Sequence, residues 1–109
     1  MQSTALTPPT PELRPAYFVI EVRVFDPQGM APYKAQVEAT FVAHGGQRVV
    51  AGAVPEILEG SPSEGRVVIV RFPSLAHAHA WHDSPEYQAI LGHRLASAHS
   101  RAYLVEGVA

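Results

Sequence analysis

Arg94 is the residue whose type and position speak most directly of chemistry. It follows Tyr87 by seven places, Ile90 by four and Leu91 by three, so on a helix it joins the apolar stripe those residues form. A guanidinium on a core-facing stripe needs a partner, because a dry, isolated charge is costly. Two kinds of partner fit. One is an internal carboxylate, with Glu21, Glu56 and Glu59 as the choices. The other is the carboxylate or enolate of a small ligand, which the planar guanidinium fork grips at two points. His44 closes a predicted helix on the stripe of Tyr33 and Phe41. As an imidazolium it would cap that helix; as a ring titrating near pH ~6.5 it would serve as general base or proton shuttle. Tyr33 and Tyr87 either orient a polar ligand through their hydroxyls or rest in the core with one wet tip. Trp81 either plugs the junction of two short helices or stacks on an aromatic ligand. With Glu56, these three aromatics make up the predicted ligand-binding set, and His44 and Arg94 the predicted catalytic pair.

Other clusters carry less. His79 and His82 stand three apart and could share a helix face with His77 nearby, but no third metal ligand follows at a recognised spacing. A surface helix is the expectation, with no metal site. Glycine-rich phosphate loops, a Ser-His-Asp order and a dinucleotide fingerprint are missing, and Gly45-Gly46 reads as a helix stop. No cofactor is therefore expected.

The totals narrow the classes further. A chain of 109 residues predicts one domain with a single modest core. Its formal charge of −2 gives no long-range attraction to phosphate backbones or anionic lipid, so nucleic acid is not expected as a partner. Zero cysteines exclude disulfides, thiolate nucleophiles and thiolate metal sites. No apolar run approaches the ~20 residues that span a bilayer, so no membrane partner is expected. Residues 1–15 carry four prolines among Thr and Ser and lack the basic and apolar regions of a secretory signal. A disordered tail over 1–15, a folded domain over 16–109 and a cytoplasmic location are the expectations.

The elements that must position these side chains follow from periodicity. Tyr17 to Phe25 alternates, with Phe18, Ile20, Val22 and Val24 on one face and Tyr17, Glu21 and Arg23 on the other. Asp26-Pro27 starts a helix as N-cap and first-turn proline, and Met30, Tyr33, Val37 and Phe41 mark its apolar stripe. Gln47 to Ala53 and Glu56 to Glu59 read as one long edge strand, interrupted near Gly52 and Pro55. After the turn cluster at 61–65, Arg66 to Phe72 returns as a strand. Pro73-Ser74 and Ser84-Pro85 open two helices, the second with the stripe Tyr87, Ile90, Leu91, Leu95 and Ala98, and Arg101 to Val108 is the last strand. The order βαββαβ predicts a ferredoxin-like α+β fold, an antiparallel sheet with its helices on one face. Val19, Val67 and Ile69 then lie on a bare face, and burying one such side chain is worth roughly 1.5–3 kcal/mol. A homodimer that covers this face is expected.

Several segments together resemble a known family: Ala43-His44-Gly45-Gly46, Glu56-Ile57-Leu58-Glu59-Gly60, Phe72-Pro73-Ser74, Trp81 through Gln88, Arg94 and Leu104-Val105-Glu106-Gly107. They are similar to domain-of-unknown-function family 1330, of the dimeric α+β barrel superfamily, over about Tyr17 to Val108. The resemblance implies a ferredoxin-like protomer and a barrel-forming dimer. It implies no agreed reaction, since that superfamily includes cofactor-free monooxygenases, muconolactone isomerase and haem-binding enzymes. The functional expectation is a homodimer with a small-molecule pocket, acting as a cofactor-independent enzyme on a small polar organic substrate. A non-catalytic ligand-binding or stress-related module, and a purely structural dimer, are the alternatives.

Overall fold

The computed structural model describes residues 14–109. The elements run β1 (Ala16–Val24), α1 (Pro27–Val42), β2 (Gln47–Ala53), β3 (Arg66–Phe72), α2 (Leu75–His82), α3 (Pro85–Ser97) and β4 (Ala98–Glu106). The strands form one antiparallel sheet in the order β2-β3-β1-β4. This is the expected ferredoxin-like βαββαβ arrangement. The expected tail falls, for residues 1–13, outside the described residues. Pro15 is buried, and its carbonyl accepts a 2.7 Å hydrogen bond from the Gly107 amide.

The barrel is not formed. β2 and β4 are the two edges of the sheet and do not pair with each other, so the layer stays open. A barrel with an interior just wide enough for side chains takes about eight strands. Four strands with two unpaired edges make a twisted, open sheet instead, which corrects the α+β barrel expected from the resemblance.

The helices start where the capping residues stand. The carboxylate of Asp26 accepts from the Gly29 amide at 3.2 Å, and the Ser74 and Ser84 hydroxyls accept from the amides of His77 and Tyr87 at the same distance. Gly45 ends α1 in the left-handed region (φ 80°), and the Gly46 amide closes the turn on the Phe41 carbonyl at 2.7 Å. Even-numbered residues of β1 face the helices, and Phe18 and Ile20 are buried with Val70, Phe72 and Trp81 in the core.

Two boundaries differ materially from the sequence reading. Glu56–Glu59 is not a strand. The β2–β3 ladder ends at Ala53 opposite Val67, so the chain beyond has no partner, and Pro55 has no amide to offer one. β4 begins at Ala98 because the Ser97 carbonyl accepts from the amides of Phe25 and Asp26, which turns the chain straight from helix into strand. Ala98 therefore leaves the helical stripe, and Leu95 is exposed. The buried stripe of α3 is Tyr87, Ile90, Arg94 and Ser97, spaced at three, four and three.

Candidate functional site

α1 packs chiefly against α3 rather than against the sheet. Gly29 permits the close approach, since a β-carbon there would overlap the Ser97 hydroxyl. Space is thus left between α1 and the β2–β3 half of the sheet. The gap is a cavity of about 910 Å³, floored by Phe18, Ile20, Val22, Val68 and Val70 and walled by Met30, Tyr33, Val37 and Phe41 of α1. Residues 54–65 close its third side through Val54, Pro55 and Ile57.

Arg94 is buried at 4 % exposure and edges this cavity. The internal carboxylate partner is not found, since no acidic side chain among the described residues pairs with it. Glu21 lies on the opposite sheet face, bonded to Arg101 at 2.7 Å and to the Glu64 amide at 3.0 Å. Those two bonds hold the Glu21 carboxyl below its ordinary value, the Arg101 guanidinium contributing most. Glu56 and Glu59 are exposed in the 54–65 connection. What Arg94 does contact is neutral. It donates to the Ser100 hydroxyl at 2.7 Å and to the Tyr87 hydroxyl at 3.5 Å, and its Cζ lies 5.5 Å from the Tyr33 ring centroid. Its Nε is buried with no hydrogen-bond partner among the described residues.

The two tyrosines complete the polar end. Their hydroxyls are 3.0 Å apart and their rings meet edge-on at 6.0 Å. Burial pushes the Tyr33 hydroxyl well above its ordinary value, and the neighbouring Tyr87 raises it further against the opposing effect of Arg94. Tyr33 is therefore a neutral phenol at any physiological pH. Trp81, fully buried, stacks among Phe18, Phe72 and Tyr87, and its indole N–H donates to the Thr40 hydroxyl at 3.0 Å. It also reaches the cavity wall.

The structure thus brings Tyr33, Trp81 and Arg94 to one cavity, with Tyr87 directly behind them. His44 is not brought there. It sits half-buried in the turn after α1 and does not line the cavity, nor does Glu56. Among the described residues no three metal-ligating side chains cluster. His77 instead bonds the Ser74 hydroxyl at 2.6 Å.

The sequence reading missed several participants. Ser100 faces Arg94 because β4 pairs it with Val22, whose side chain points to the helices. Thr40 stands three places beyond Val37 and was legible as the polar member of the α1 stripe. Arg48 pairs with Val70, which puts it on the cavity face, and its Cζ lies 5.3 Å from the Phe41 ring centroid. Arg23, Lys34 and Arg66 join Arg48 and Arg94 along the cavity, whose lining includes no carboxylate or imidazole among the described residues; Arg48 is paired with Glu38 at 3.6 Å.

Comparison with known proteins follows the same lines. The family model described as "Domain of unknown function (DUF1330)" matches residues 15–108. Among curated proteins none matches. A protein of unknown function from Rhodopseudomonas palustris has a similar structure, with TM-score 0.69, 24% identity, and 88% of this chain and 84% of that one covered. SnoaB of Streptomyces nogalater, a cofactor-independent oxygenase, is similar at TM-score 0.59 and 15% identity, over 88% of this chain and 95% of that one. A dimeric ferredoxin-like protein of unknown function from Thermobifida fusca matches at TM-score 0.61 and 12% identity, over 86% and 92%. At these identities the likeness is one of fold.

Proposed function

This chain belongs to the DUF1330 family, and from its cavity we propose that it acts on a small organic molecule whose negatively charged oxygen is held by Arg94. The supporting observation is a buried guanidinium that edges a cavity and pairs with no carboxylate among the described residues. Keeping such a charge out of water is worthwhile to a protein when something outside the fold completes it. Tyr33 shares the ligand, and Trp81 and Tyr87 shape the space around it. As an enzyme, the site would stabilise negative charge developing on a substrate oxygen, an enolate for example, with fixed donors in a mostly apolar setting. The fold shared with a cofactor-independent oxygenase is compatible with that reading.

A second reading is a binding module without turnover. It is favoured by a cavity lining that, among the described residues, includes no carboxylate or imidazole to act as an ordinary general base beside a ligand. A ligand screen by melting temperature, followed by aerobic incubation and mass spectrometry, separates the two. Hits recovered unchanged support binding, and hits converted to product support catalysis. A library that yields no stabilising organic anion would sink both.

We further propose that a second copy of the chain covers the sheet face opposite the helices. Val19, Val67 and Ile69 are only half-buried there, and Tyr103 and Val105 are 46% and 45% exposed. Such a contiguous apolar surface is unusual on a monomer. The 12% identical Thermobifida fusca protein of the same fold is dimeric.

A further inference from the structure

At the polar end of the cavity Arg94 fixes the direction of one hydrogen bond. Arg94 can only donate, so the 3.5 Å contact makes the Tyr87 oxygen an acceptor. Tyr87 is fully buried, and the hydroxyl of Tyr33, at 3.0 Å, is where its own hydrogen can go. Where Tyr87 passes its hydrogen on to Tyr33, the chain runs Arg94 to Tyr87 to Tyr33, each bond polarising the next, and the Tyr33 hydrogen is its free end on the cavity side. Arg94 itself has five N–H groups, of which two are taken by Ser100 and Tyr87. The polar end therefore offers donors from two side chains, one of them cationic, and no carboxylate to compete for them.

The rest of the cavity is apolar and large. At about 910 Å³ it sits near the top of the ~300–1,000 Å³ usual for ligand pockets. Ile20, Val37, Phe41, Val68 and Val70 line it, and a two- or three-carbon acid would leave most of that surface unfilled. Arg23, Lys34 and Arg66 add positive charge along the lining, in which no acid stands among the described residues, while Arg48 is paired with Glu38 at 3.6 Å; the chain's net charge is −2.

We infer that the ligand is an amphipathic carboxylic acid, its carboxylate held by the unused Arg94 donors and the Tyr33 hydroxyl, its apolar body lying along the sheet beneath α1. The inference rests on the reading of this cavity as a ligand site and narrows it to one chemical class. Acid and alcohol of the same chain length then differ in affinity through the polar end alone. Tyr33 discriminates by donating, and the cations at the cavity attract the anion before it docks.

Isothermal titration with decanoate, 1-decanol, acetate and 2-naphthoate tests it on the full chain. Decanoate binds at least about tenfold more tightly than 1-decanol, and acetate binds far more weakly than decanoate. Arg94→Gln lowers decanoate affinity about tenfold or more and leaves 1-decanol unchanged; Tyr33→Phe gives a smaller loss of the same kind. Arg94→Lys, which keeps the charge but loses the fork, covers the case in which the glutamine variant does not fold. Equal affinity for acid and alcohol, or acetate binding as tightly as decanoate, overturns the inference and spares the ligand site. If all four compounds fail to bind, the ligand-site reading falls with it.

Discussion

Replacing Arg94 by methionine sets the needs of the fold against those of a ligand. The substitution removes a guanidinium that is 4 % exposed and replaces it with an apolar chain of similar reach. Two hydrogen bonds are lost, the short one to Ser100 at 2.7 Å and the long one to Tyr87 at 3.5 Å. The first is worth about 1.5–3 kcal/mol as a charge-assisted bond, and the second little at that distance. Neither partner is stranded, since Ser100 is half-buried and within reach of water and Tyr87 keeps Tyr33. On the other side stands the desolvation of a charge that has, among the described residues, no counter-ion and no partner for its Nε, several kcal/mol even after relaxation. The balance favours Arg94→Met by about 1–2 kcal/mol, or a rise of about 4–8 °C in melting temperature for a chain of this size. Thermal and urea unfolding of the two proteins measure it directly. A loss of about 3 kcal/mol or more would mean that Arg94 is a structural keystone, and the reasoning that assigns it to a ligand would be refuted.

Three further outcomes follow from the same geometry. Thr40→Val leaves the buried Trp81 indole N–H without an acceptor and lowers stability by about 1–3 kcal/mol in urea unfolding, whereas Thr40→Ser keeps most of it. The Glu21 carboxyl is depressed in the folded chain, so its stabilising contribution is complete above its ordinary value of 4.5 and disappears as pH falls through the lower folded value; Glu21→Gln flattens that part of a stability–pH profile. Sedimentation at micromolar concentration gives twice the 11.8 kDa chain mass, and Ile69→Glu, on the bare sheet face, returns the protein to monomer with its far-UV spectrum intact.

Much of the fold was legible because local signals agreed with one another. The caps at Asp26, Ser74 and Ser84 and the stop at Gly45 are short-range chemistry, written in adjacent residues. The α1 stripe was equally plain, as all four of Met30, Tyr33, Val37 and Phe41 are buried. The errors fell where a long-range partner decides. Glu56–Glu59 has the composition of a strand but no strand beside it, and Ala98 continues a helical period until β1 recruits it as a strand. Openness of the sheet is likewise a property of its two edges rather than of any segment. Arg94 was found from spacing alone, yet its neutral surroundings were not, because Ser100 reaches it only through the β1–β4 register. His44 shows the converse limit. Its place on the α1 stripe holds for a helix continuing past Val42, but the turn at Ala43–Gly45 carries it away from the cavity.

A crystal structure of the protein with decanoate bears most immediately on whether the space under α1 is a seat for organic acids. The expected structure has a carboxylate within hydrogen-bonding distance of both the Arg94 guanidinium and the Tyr33 oxygen, with the alkyl chain against Val68 and Val70. A guanidinium clamped instead by a glutamate of the protein, with residues 54–65 collapsed into the space and no room for a ligand, would contradict it.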